Sequence, residues 1–193
     1  MTKKQIVTAF VALTVFIAAG FVHTFFNDAK AAETKTINKE KDAYIEKLME
    51  QSMANANNAD MALNQSAYSD VIKYTNEALE CFIAIENNVK SVQSLSEAEK
   101  KAVIDDTNYM KGVMYLDRGI AKIMSAEDAS GGVSDLHKAL ELNKILVAAI
   151  ELYMKNAIKN NNTTAANLFR NVILDSPNVS EQNKAYVRKL NIQ

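Results

Sequence analysis

From Ile37 onward the apolar residues recur at intervals of three and four. Tyr44, Ile45, Leu48, Met49, Met53, Ala56, Ala59 and Leu63 mark one side of a helix, with lysines and glutamates on the other. This spacing predicts a helix over 38–64. A polar break at Asn64-Gln65-Ser66 follows, and a second stripe of Val71, Ile72, Thr75, Ala78, Leu79, Phe82 and Ile85 ends at Asn87-Asn88, so the two stripes predict a helical hairpin. Ser96-Glu97-Ala98-Glu99 is a capping box, in which the serine hydroxyl and the glutamate carboxylate satisfy each other's unpaired backbone amides. Helix therefore resumes there and runs through Tyr109, Val113, Leu116, Ile120 and Ile123 to about Ala126, with Asp105-Asp106-Thr107 the one place where it could break.

Gly131-Gly132 reads as a turn into Val133, Leu136, Ala139 and Leu140. A helix over 145–160, a turn at Asn160-Asn161-Asn162, a helix over 164–175, Pro177 and a Ser180-capped helix to Leu190 complete the chain. The expectation is an all-α protein of about seven helices, arranged as hairpins over 38–87, 97–142 and 145–175 with a capping helix at 180–190. Composition agrees, because five Gly and one Pro in 193 residues leave too few turn-formers for a sandwich or barrel.

The N-terminus carries a different signal. Lys3 and Lys4 precede an uncharged run from Ile6 to Val22, and polarity returns at His23, Asn27, Asp28 and Lys30. This is the pattern of an export signal. Ala29-Lys30-Ala31 has the small-x-small form that a signal peptidase reads, which favours cleavage and a mature chain over 32–193; the alternative is retention of residues 6–26 as an anchor in the cytoplasmic membrane. Either way the lysines ahead of the apolar run place the rest on the outer, periplasmic or extracytoplasmic, side. What remains after residue 31 is about 160 residues, one domain's worth.

Charge narrows the function. The formal net charge is −1; without residues 1–31 it becomes 19 minus 22, or −3, which argues against nucleic acid as a ligand. Cys81 is the one cysteine, so no internal disulfide and no cysteine-based zinc cluster can form, and its place among Ala78, Phe82 and Ile85 reads as an inert packed thiol. His137 is the one histidine beyond the targeting region and reads as structural. Gly131-Gly132 lacks the lysine of a phosphate loop, and there is no nucleophile elbow. Asp105-Asp106 and Glu127-Asp128 are read as carboxylates preceding helical stretches and offsetting their dipoles, not as acid–base pairs. The four Asn-x-Ser/Thr sequons, at Asn64, Asn161, Asn162 and Asn178, carry no weight in so Asn-rich a chain. No catalytic residue, metal site or cofactor is expected.

One internal pattern goes further. Gly132, Leu136 and Ala139 recur thirty-three residues later as Ala165, Phe169 and Val172, small residues marking helix crossings and large ones plugging the next hairpin. Here the chain resembles the tetratricopeptide-repeat family. Leu152 stands at its first-helix leucine, Ala165 and Phe169 at its second-helix alanine and aromatic, and Pro177 at its closing proline; Tyr153 replaces a small residue, implying a wider crossing. Gly112 and Tyr115 match in the middle hairpin together with Ala139-Leu140-Glu141-Leu142, though about eight extra residues imply a long first helix. Ala59, Tyr68, Ala78 and Leu79 match in the first, where Thr75 replaces an aromatic and a long segment, 88–107, leads to the next.

The resemblance implies hairpins stacked as a right-handed superhelix, whose first helices line a concave groove. Carried onto this chain, it assigns Tyr109, Val113 and Leu116 to that groove from the middle hairpin, and Ile150, Met154 and Ala157 from the last. Such a groove would be apolar and suit a partner helix or peptide, unless 37–64 or 88–107 fills it. The amphipathic stretch 37–64 also suits self-association. The function expected is thus a non-enzymatic scaffold that docks a protein partner, with a carrier of a small apolar ligand as the alternative and an enzyme acting through paired carboxylates a distant third.

Overall fold

The structure, a computed structural model, describes residues 36–92, 95–190 and 192. The expected export signal lies outside them, as does the candidate anchor. Among the described residues there are seven helices and no strand: α1 (Thr36–Asn64), α2 (Tyr68–Val89), α3 (Glu97–Ser125), α4 (Ala129–Leu142), α5 (Val147–Lys159), α6 (Thr163–Asp175) and α7 (Glu181–Arg188), with a 3-10 turn at Lys144–Leu146 leading into α5. None of them is long and apolar enough to cross a membrane.

Consecutive helices pair as hairpins, α1 on α2, α3 on α4 and α5 on α6, while α2 also packs along α3 and α7 closes on α6. The turns are made by a few residues of defined geometry. Ser66 ends α1 and Asn161 ends α5 in left-handed conformation, with φ of 57° and 58°. In each turn the next amide reaches back to a carbonyl five residues earlier, Ala67 to Ala62 and Asn162 to Ala157, both at 2.9 Å. These are matched Schellman closures, and each places the following helix antiparallel to its predecessor. Asn162 then caps α6 by accepting from the Ala165 amide at 3.1 Å. The capping box at Ser96 and Glu99 is fully formed, and the Ser180 hydroxyl caps α7 through the Asn183 amide.

Three expectations need correction. Gly131-Gly132 is not a turn: the reversal is made by Ala126 at φ 61°, and Asp128 caps α4 by accepting from the Gly131 amide, so both glycines lie inside the helix. A side-chain cap three residues earlier outweighs the glycines' low helix propensity. Nor does α3 break at Asp105-Asp106-Thr107, because Thr107 is buried and its turn packs like those around it. The acids at 105 and 106 therefore sit within a helix and do not precede one. The third concerns α1, where Tyr44 is half exposed and Ala62 is buried in its stead; the stripe is rotated slightly from the one expected.

The core has two main parts and a small third of Ala62, Val71 and Ala121, with α3 common to all three. Ile45, Leu48 and Ala56 of α1 meet Ala78, Leu79, Phe82, Ile85 and Val89 of α2 over Val103 and Met114 of α3. Leu116, Ile120 and Ile123 of α3 join Leu136 and Leu140 of α4, Ile150 and Met154 of α5, and Phe169, Val172 and Ile173 of α6. Burial thus passes from one core to the other near the midpoint of an unbroken helix.

The α3–α4 crossing is set by two glycines. A Cβ on Gly119 would lie 2.9 Å from the Gly132 carbonyl oxygen, and one on Gly132 would lie 2.8 Å from the Gly119 oxygen. Because the obstacle is backbone on both sides, neither helix can yield by turning a side chain. Gly119→Val is accordingly expected to lower stability by about 3 kcal/mol, read as a drop in the urea midpoint. Gly131→Ala meets only the movable Asp128 carboxyl and is expected to stay within about 1 kcal/mol of the parent.

Candidate functional site

Around residue 117 the helix α3 is buried on nearly every side: Met114, Leu116, Gly119, Ile120 and Ala121 are all enclosed. The Leu-Asp-Arg-Gly step carries two charges into this environment, and they separate. Arg118 turns toward α4 and grips Asp135 with two hydrogen bonds, Nε to Oδ2 at 2.9 Å and Nη2 to Oδ1 at 2.7 Å, while its Nη1 donates to Asn76 at 2.6 Å. Lys122 adds a contact to Asp135 at 3.2 Å and one to Asp128 at 3.1 Å. That network is complete in itself, a buried carboxylate held by a planar fork and a second cation.

Asp117 turns elsewhere. It is 9% exposed, and no hydrogen bond or ion pair from the described residues reaches its carboxyl group. Every side-chain polar atom fully shut from solvent among them has a partner, so the unpartnered Asp117 oxygens keep some contact with solvent. Burial pushes its carboxyl up to about 8, reinforced by the negative charge of Asp60. Asp60, half-buried near the end of α1, is itself raised by burial. Tyr153 of α5 is raised by burial and then by the charges of Asp117, Asp60 and Tyr68, the first residue of α2. Residues of four helices thus act on one another here, Asp60 on Asp117, and both carboxyls together with Tyr68 on Tyr153.

The first helix of each hairpin, α1, α3 and α5, contributes one of these groups. The residues expected to line the groove are placed differently. Leu116, Ile150, Met154 and Ala157 are buried in the second core, Val113 is half-buried between the two cores, and Tyr109 is exposed at 38%. The apolar residues that reach solvent here are Ile145 of the 3-10 turn and Ala148 and Leu152 of α5, so the residue matched to the first-helix leucine points outward. Tyr153 does fit between helices: its ring lies 6.5 Å from that of Phe169, tilted by 45°.

Residues set aside from the sequence are equally placed. Cys81 is half-buried beside the first core, and burial together with Glu80 and Glu77 raises its thiol, which keeps it protonated and unreactive. Asp128 caps a helix and is held low by the Gly131 amide and Lys122. Among the described residues no three acids, histidines or cysteines converge as metal ligands would. Sequence reasoning missed Asp117 because an acid next to an arginine on a helix reads as a solvated pair. The one signal was its apolar surround, Met114 to Ala121, a helix apolar on more than one face.

Set against protein-family models, curated proteins and solved structures, the chain matches none of them, so the arrangement of its own residues carries the functional reading.

Proposed function

We propose that this protein is an exported, non-enzymatic docking module of tetratricopeptide type, which holds a protein partner on the side of the hairpin stack formed by its first helices. The observation that carries the proposal is the unpartnered, nearly buried Asp117 of α3, a helix that packs against both α1 and α5. A polar group left in that condition costs stability, and such a cost is met at sites that something else completes. The hairpin packing supplies a rigid frame for such a site, and the export signal read from residues 1–31 puts it on the outer side of the cytoplasmic membrane. In this reading the docking surface is acidic at its floor, not apolar.

The test is crosslinking of full-length protein in the native envelope, comparing the parent with Asp117→Asn and Ile145→Glu. One defined protein captured by the parent and by Ile145→Glu, but lost with Asp117→Asn, supports docking at the first-helix side. Loss with Ile145→Glu alone moves docking to the exposed 3-10 turn ahead of α5 and overturns the site. Recovery of this chain alone, with excess mass matching a small ligand, overturns docking in favour of a carrier. The same mass measurement reads export directly, since cleavage leaves a chain beginning at Ala32.

A further inference from the structure

We infer that the two ends of the helix stack are complementary in charge, and that copies of this chain join head to tail, the α1–α2 hairpin of one against the α5–α7 end of the next. The inference is independent of Asp117. It rests on how charge is divided along the chain. Residues 36–89 carry 4 bases against 9 acids, or −5, whereas residues 143–193 carry 7 bases against 3 acids, or +4. The helix contacts put these two sets at opposite ends: α1 joins the rest through α2 and α3, and α7 joins it through α6.

Much of this charge is not spent within the chain. Glu46 and Glu50 of α1 and Asp70 and Glu80 of α2 are exposed and form no ion pair among the described residues. At the other end Lys155, Lys159 and Lys189 are exposed and likewise unpaired, Lys155 lying over the Tyr186 ring at 4.9 Å. Apolar surface accompanies the charge at both ends, Tyr44 at one and Leu152 and Tyr186 at the other, which is the mixture of an apolar centre and a polar rim that protein contacts use. The apolar stripe of α1 is not what meets the neighbour, because Ile45, Leu48 and Ala56 are already buried in the core with α2.

Charge also selects the symmetry. A two-fold contact between like ends sets −5 against −5 or +4 against +4, whereas a head-to-tail contact sets −5 against +4. Because the two surfaces on one copy differ, each contact leaves one of either kind unused, and the arrangement repeats into chains or rings instead of stopping at a pair. Its strength falls with salt, since exposed charges more than about 10 Å apart are largely screened at an ionic strength of about 0.1 M.

The experiment is sedimentation velocity on full-length protein in a nonionic detergent, across concentration and at low and high salt. Two charge-reversed variants accompany the parent, the double substitutions Glu46→Lys with Glu50→Lys and Lys155→Glu with Lys189→Glu. The parent is expected to form species larger than a dimer at low salt, which dissociate at high salt. Each variant alone should self-associate about tenfold or more weakly with helicity unchanged, because it sets like charge against like. An equal mixture of the two should assemble again, since each reversed end then meets a reversed end and each native end a native one. A parent that stays monomeric at every concentration, or assemblies indifferent to salt and to both reversals, overturns the inference. Sensitivity to one reversal alone, with a mixture that does not assemble, marks a two-fold contact between like ends and overturns it too. Docking of a different protein is read separately, from crosslinks that depend on Asp117, so either reading can fail while the other stands.

Discussion

Replacing Asp117 by asparagine is expected to stabilise the protein increasingly as pH rises from about 4 to 8, by on the order of 4 kcal/mol at the upper end. The sign follows from proton counting. In the unfolded chain Asp117 ionises near its ordinary value of 3.8, whereas burial and Asp60 hold it protonated in the folded protein up to about 8. Between those limits the folded state binds more protons, so stability falls as pH rises and levels off above the folded value. Asparagine keeps the shape, has no proton to lose and removes that slope. Urea unfolding of parent and variant, followed by far-ultraviolet circular dichroism across this range, should give curves that coincide at the acid end and diverge toward pH 8. Parallel curves would mean that water reaches Asp117 freely and the centre is not buried in solution. A gain in stability on replacing a native residue is the usual mark of a residue kept for function.

The largest loss of stability is expected from Phe169→Ala, about 4 kcal/mol. Phe169 is fully buried in the second core beside Tyr153, and its removal leaves a ring-sized void walled by helices that backbone contacts hold in place. For a domain of this size that corresponds to a fall in Tm of roughly 10 °C. The effect should be uneven. Amide exchange is expected to quicken most in α4, α5 and α6, which build that core, and least in α1 and α2, which pack on the other half of α3. Uniform quickening along the chain would show the two cores to be one cooperative unit.

The helices were legible because their signals are local. Ser96 and Glu99, Asn162 and Ser180 each announce a helix start by residue type alone, and the apolar stripe of α2 recurs in the structure with Ile72 alone only half-buried. The small residues at 132 and 165 are buried, as the thirty-three-residue spacing implied. What the sequence concealed depends on partners distant along the chain. Ile150, Met154 and Ala157 were assigned to a groove by family geometry, yet which face of α5 is covered depends on where α3 and α6 come to rest against it. Gly119 gave no sign of its role, since its counterpart Gly132 lies on another helix. Asp117 was concealed in the same way: Arg118 beside it is committed to Asp135, 17 residues on.

The crossing of α3 and α4 has a consequence for how this sequence can change over time. Each of Gly119 and Gly132 has its missing side chain replaced by the other's carbonyl oxygen, so the two positions form a single heritable character. A substitution at either one meets the backbone of the other, and a second substitution cannot rescue it, because it would add bulk where space is already short. Descendants of this chain must keep both glycines or give up the crossing, and with it the angle at which α3 carries Asp117 to α5.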